Sequence, residues 1–252
     1  MQRFFSRGRP YGARLSFDPG TRRTSWTALL RRFLPQAAPA SHAERLRASL
    51  GVFLGIALTG LVSTAWLGPA GDLPLLVAPM GASAVLLFGV PASPLAQPWP
   101  IMGGNLIAAL IGVTAAHWFA SPLAAACLAV GCTFAATSLL RCVHPPSGAV
   151  ALTAVLGGAH ITALGYGFAL VPVGLNSLLL VVAAIAYNNA TGRSYPHHAH
   201  EPVHPHPPVS LLSFDPADLD EVLADYGETI DISRDDLEAL FRELLGRAQR
   251  LT

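Results

Sequence analysis

Lysine is missing altogether from this 252-residue chain, and charge of either sign is scarce, Asp, Glu, Lys and Arg making up 12% of it. Soluble domains are about 25% charged, so a water-facing surface on all sides is excluded for most of the chain. The scarcity is uneven. Between Ala48 and Gly192 only Asp72 and Arg141 carry a formal charge, and a stretch so poor in charge belongs in lipid. The lack of lysine, beside much alanine, reads as composition bias without mechanistic weight. Cysteine is rare too. Cys127, Cys132 and Cys142 lie in or beside apolar runs with no metal-ligand spacing, which makes them small buried hydrophobes rather than ligands. No motif calls for a cofactor or a metal. A signal peptide is not expected, because about 45 polar, Arg-rich residues precede the first apolar run.

What is present is segregated. Residues 1–45 carry Arg3, Arg7, Arg9, Arg14, Arg22, Arg23, Arg31, Arg32 and Arg45 against Asp18 and Glu44. A basic cluster beside a first span places that end in the cytoplasm, and it reads as a topology signal, not as a nucleic-acid site. Within it, "WTALLRRFLP" suits a short amphipathic turn on the membrane surface. Residues 46–190 form the apolar domain. Residues 191–213 are a Pro/His-rich linker with His197, His198, His200, His204 and His206, extended and solvated. Residues 214–252 complete an acidic tail, 201–252 holding twelve carboxylates. Two short helices are expected there, the second with an apolar stripe of Leu237, Leu240, Phe241, Leu244 and Leu245.

Apolar runs recur at 48–67, 73–90, 101–119, 122–140, 146–164 and 168–187. Each is about 18–20 residues long, enough to cross a hydrocarbon core of about 30 Å. The predicted fold is all-α: a polytopic membrane helix bundle of about six segments with cytoplasmic tails. Four full spans plus two half-helices is the alternative, since the second and fifth runs are the weakest and open with Pro and Gly. Six crossings keep Arg141 on the cytoplasmic side, whereas four put it outside, so the positive-inside rule favours six. The first span's "GVFLGIALTG" has a small-residue face suited to close packing within a subunit or in a homo-oligomer.

The runs also repeat. "PMGASAVLLFGV" from Pro79 parallels "PSGAVALTAVLGG" from Pro146, and the next run in each half carries an asparagine, Asn105 or Asn176. Three crossings per half set the halves in opposite orientation, the inverted-repeat plan of transporters with interrupted helices near the midplane.

The stretch "SLLRCVHPPSGAV" places Arg141, His144, Pro145 and Pro146 in apolar surroundings. A helix cannot run through two prolines, but one starts well at Pro146. Its N-terminus is expected to offer unpaired N–H groups and the positive end of the dipole to an anion, with Ser147 at hand and Gly148 allowing close approach. Pro79, Gly81 and Ser83 repeat the construction. Arg141 and His144 stand on its approach, ionisable groups at membrane depth and therefore functional candidates. Asn105 and Asn176 are helix–helix hydrogen-bond partners that can also line a site.

These residues carry a resemblance. "HPPSGAVALTAVLGG", preceded by "APMGASAVLLFGVP" and followed by "PVGLNSLLLVVAAIAYNN", resembles the HPP family of integral membrane proteins over about residues 45–190. The resemblance implies a small multi-spanning protein, generally described with four spans and associated with transport; a bacterial inner membrane is the expected location. Plastid members are associated with nitrite transport, which supports a small anion as substrate. Some bacterial members continue into nucleotide-binding CBS domains. The tail here resembles the connecting helices, but the chain stops at Thr252, so nucleotide regulation is not carried over.

The expected function is therefore a transporter or channel for a small inorganic anion such as nitrite, with the lipid bilayer and that anion as partners. A non-transporting scaffold or sensor, signalling through the acidic hairpin, is the alternative. An enzyme is not expected: Ser147 near His144 is the only nucleophile–base candidate pair, and no Gly-x-Ser-x-Gly elbow occurs.

Overall fold

The computed structural model describes residues 41–67, 77–197, 218–220, 222–223 and 234–248. The basic N-terminal segment with its amphipathic turn, Asp72, His198 to His206 and most of the first tail helix lie outside the described residues. Those described are helical with no strand among them. We number the helices α1 (His42–Leu67), α2 (Pro79–Gly89), α3 (Pro98–Trp118), α4 (Pro122–Leu139), α5 (Pro146–Leu156), α6 (Ala159–Leu164), α7 (Leu175–Ala190) and α8 (Arg234–Ala248). A 3-10 turn, Pro94–Ala96, precedes α3, and a π-helical stretch, Ala169–Gly174, leads into α7.

Proline sets the starts. Helices α2, α3, α4 and α5 all begin on one, where the missing N–H is unneeded and φ is already helical. Four helices are long and apolar enough to span: His42–Ala65, Pro98–Trp118, Pro122–Leu139 and Ala169–Ala190. The other two, α2 and α5, have 11 residues each, about 16 Å at 1.5 Å per residue. Of the two arrangements left open by the sequence, the structure has four long helices and two of half length, the second and fifth segments being the short ones. The fifth run breaks for a local reason: Gly157 ends α5 and Gly158, at φ 81°, turns the chain into α6. A β-carbon at Gly157 would sit 2.5 Å from the Thr153 carbonyl oxygen, so the bend requires glycine.

Hydrogen bonds show which helix ends meet. Arg47 near the start of α1 donates to the Phe88 carbonyl at the end of α2 (2.8 Å) and to Asn188 Oδ1 at the end of α7 (3.0 Å). Glu44 bridges Arg47 and Arg193, each at 2.6 Å. Trp99 at the start of α3 donates to Leu140 O after α4 (3.2 Å), and Tyr195 beyond α7 donates to Ala96 O (2.7 Å). One end of the bundle therefore gathers the start of α1, the end of α2, the start of α3 and the ends of α4 and α7. Leaving aside the six-residue α6, helix direction alternates from α1 to α5 and on to α7, with the two half-length helices each taking a turn. Packing has the same pattern in both halves: α1 meets α2 and α7, as α4 meets α5 and α3.

The core is built from small side chains on close-approaching helices. Gly55 of α1 faces the Phe88 ring of α2, where a β-carbon would come within 2.5 Å of it. The small-residue face of the first span is thus used within the subunit. Helix α8 keeps its stripe largely in the open, with Leu240 and Leu244 more than half exposed.

Candidate functional site

The Pro146 tip is built differently from the expectation. Pro145 and Pro146 have no N–H to offer. The next two donors turn back on the chain, Ser147 N to His144 O (2.9 Å) and Gly148 N to Pro145 O (3.2 Å). Ser147 Oγ also donates to His144 O, at 2.6 Å. Helix α2 starts in the same way, Met80 N donating to Val77 O and Gly81 N to Ala78 O. Both tips thus use their first donors in tight turns instead of presenting them to an anion. Pro79, Pro146 and Ser147 are buried, while Pro145 and Gly81 are exposed. A β-carbon at Gly81 would touch nothing and one at Gly148 only Val130, at 3.9 Å, so neither glycine marks a close approach. That role falls to Gly104 of α3, whose β-carbon would lie 2.9 Å from Cys142 O and 3.0 Å from His144 Cβ.

His144 is 1% exposed and fully engaged. Its Nδ1 lies 2.9 Å from Leu95 O, a pure acceptor, so Nδ1 carries hydrogen and donates. Its Nε2 lies 2.8 Å from Ser83 Oγ on α2. Ser83 is itself within 3.4 Å of Pro79 O. The histidine before one short helix is thus locked to the middle of the other, two positions paired in neither the repeat nor the tripeptide motif.

One turn away on α2, Met80 belongs to a second polar group. Asn105 Nδ2 of α3 donates to Ser177 Oγ of α7 (3.0 Å), and Ser177 Oγ lies 3.9 Å from Met80 Sδ. Asn176 Oδ1 accepts from Ser63 Oγ of α1 (3.0 Å). All of these side chains are buried, and both asparagines are fully so. Each amide is only half satisfied: Asn105 Oδ1 and Asn176 Nδ2 have no hydrogen-bond partner. Asn105 is about 10 Å along α3 from Pro98, so this level is inside the span. The chain prepares it locally. Val171, at φ −136° and ψ 116°, interrupts the fourth span beside Pro172, five residues before Asn176. Two groups of sequence-predicted residues therefore come together, His144 with Ser83, and Asn105 with the helix bearing Asn176.

Arg141 is not among them. It is exposed, with φ 53°, and terminates α4: the Cys142 N–H bonds Thr137 O (2.8 Å) across it, the bond pattern of a left-handed helix end. A cation there also suits the negative end of the helix dipole. Sequence reading overlooked Ser63, Met80 and Ser177, whose types are common in any span. It also overlooked Arg47 and Arg193, just outside the charge-poor stretch, and Tyr195, whose 2% exposure belies its place in a polar linker. Burial raises the Tyr195 phenol above its ordinary range. Among the described residues no group of His, Cys, Asp or Glu is arranged to hold a metal.

A family model described as the HPP transmembrane region matches residues 37–196. Two transmembrane proteins of Dictyostelium discoideum are also similar. One is 35% identical over 130 residues, covering 50% of this chain and 45% of its own length; the other is 36% identical over 126 residues, covering 48% and 40%. This chain thus spans less than half the length of those relatives. No solved structure matches it. With the family match covering the whole described bundle from α1 to Pro196, the chain belongs to the HPP family of multi-pass membrane proteins.

Proposed function

We propose that this protein is a transporter or channel for a small inorganic anion, nitrite being the first candidate, and that the solute passes the level of Asn105, Asn176 and Ser177. The observation that carries the reading is the pair of half-satisfied amides. A polar atom left unpaired at membrane depth costs several kcal/mol; the open Nδ2 of Asn176 can donate to an oxygen of the anion, and water entering with the anion can donate to Asn105 Oδ1. Two half-length helices beside this level, with helix direction alternating along the chain, support an inverted-repeat plan of the kind transporters use. His144 and Ser83 border the path. Arg141, exposed at one end of the bundle, marks the mouth. By the positive-inside rule both tails are cytoplasmic, in a bacterial inner membrane.

Nitrite uptake into proteoliposomes tests this reading. We expect protein-dependent flux that falls about tenfold in Asn105→Leu, the loss of roughly one hydrogen bond, and changes little in Arg141→Ala. Equal flux in wild type, Asn105→Leu and protein-free vesicles refutes it. A second reading, a sensor that signals through the acidic tail, draws on the exposed Leu240 and Leu244 of α8. It requires a partner whose binding is lost when both become Ser.

A further inference from the structure

The two halves, α1 to α3 and α4 to α7, are tied together unevenly. At the end where both tails leave, His144 of the second half donates through Nδ1 to Leu95 O of the first (2.9 Å) and holds Ser83 Oγ on Nε2 (2.8 Å). Tyr195, beyond α7, reaches across to Ala96 O (2.7 Å), and Arg193 reaches across to Glu44 (2.6 Å). His144, Ser83, Ala96 and Tyr195 are all buried.

The opposite end differs. The second-half residues there, 122–128 and 157–168, are all described. Among these described residues Tyr166 alone makes a hydrogen bond to the first half, to Thr114 Oγ1 at 3.1 Å in an exposed position. Toward that end the halves meet through small apolar groups, a β-carbon at Gly112 of α3 coming within 2.7 Å of Ala154 Cβ of α5. The repeat does not require this asymmetry. Pairing Pro79 with Pro146 makes Val77 and Val150 the counterparts of His144 and Ser83. Both valines are buried, and neither side chain can hydrogen-bond.

Apolar contacts have a ready substitute in lipid tails, whereas a buried N–H or hydroxyl parted from its acceptor inside a bilayer has none. The end that bears the tails is therefore the harder one to part. Resting on the transport reading above, we propose that the structure is the state closed toward the tails. His144 with Ser83 and Leu95, backed by Tyr195 on Ala96, is the latch of that gate. In an inverted-repeat transporter one half rocks against the other about a site near the midplane, so ties gathered at one end set which face is shut at rest. The solute reaches the level of Ser177 from the opposite face, and passage toward the tails requires these bonds to release. Tyr195 is a positioning residue, acting through the turn that carries Leu95.

The test uses the full chain with Cys127, Cys132 and Cys142 replaced by serine and Ser177→Cys as reporter, in sealed vesicles of both orientations. The probe is a cationic, membrane-impermeant methanethiosulfonate, and the tail face is the one at which protease cuts a C-terminal tag. We expect labelling from the face opposite the tails to be at least tenfold faster than from the tail face. Adding Tyr195→Phe, which removes one hydroxyl and keeps the ring, should raise the tail-face rate about fivefold, the equivalent of about one hydrogen bond. Adding Thr114→Ala instead, which cuts the tie at the other end, should leave that rate unchanged. Equal rates from the two faces, or faster labelling from the tail face, overturn the inference and leave a transporter in place. A Tyr195→Phe effect that is absent, or matched by Thr114→Ala, does the same. Labelling from neither face in any of these chains overturns the passage at this level and the latch with it. The comparison of faces needs no latch variant, so a misfolded mutant cannot obscure it.

Discussion

At the scale of single residues, the polar groups are held by closely set neighbours, and Gly104 makes the close approach at His144. It lets α3 lie against the Cys142 carbonyl and His144 Cβ. Gly104→Val must push His144 off Leu95 O and Ser83, and overpacking of this kind costs about 1–3 kcal/mol. We expect a lowered unfolding midpoint in detergent, whereas Gly81→Ala, with open space around it, leaves the midpoint unchanged. Equal effects at both positions would show that the close approach is not there. Legibility at this scale was partial. His144, Asn105 and Asn176 stand out in the sequence because polar types are rare in spans. Ser177 and Met80 do not, because only the fold reveals that a hydroxyl and a thioether meet an amide. Arg141 drew attention for its charge, yet its place is set by the end of a helix.

At the scale of elements, the two short helices depend on what pins their ends. Glu44 is 11% exposed in its side chain and receives Arg47 and Arg193 together, tying α1 to the chain beyond α7. Glu44→Gln leaves two guanidinium groups short of a carboxylate, and we expect a loss of about 2–3 kcal/mol in detergent-solubilised protein, as for charge-assisted hydrogen bonds. An unchanged midpoint would make the cluster an exposed surface pair of little weight. Tyr195 acts on the turn that carries Leu95. Its hydroxyl bonds Ala96 O, so Tyr195→Phe should lower stability by about 1 kcal/mol; no change would mean that the turn is held without it. The two short elements were legible from prolines: Pro79 and Pro146 each open a helix, as their sequence context predicts, and Pro98 and Pro122 open two more that the sequence reading did not single out. The division into four long and two short helices was less so. The fifth run stays apolar across Gly157 and Gly158, and hydropathy does not register the break that backbone geometry imposes.

At the scale of the whole molecule, the ion pairs of Glu44 put the start of α1 and the exit from α7 at the same end of the bundle. Epitope tags at the two termini should therefore be cut by external protease together, and only in inverted vesicles if the basic segment lies in the cytoplasm. Opposite accessibility would contradict the alternation of helix direction. The order of apolar runs made the bundle legible, and the parallel of Pro79 with Pro146 marked the starts of its two short helices. The buried polar group around Ser177 was not, because it depends on contacts among α1, α2, α3 and α7 that are far apart in sequence. The most direct measurement is the reactivity of Ser177→Cys in a chain whose three native cysteines are replaced by serine. If a small polar solute passes this buried level, a small water-soluble methanethiosulfonate reagent should label Cys at 177, and nitrite should slow the reaction. Labelling as slow as that of Leu180→Cys in the packed core, with no effect of nitrite, would contradict the account.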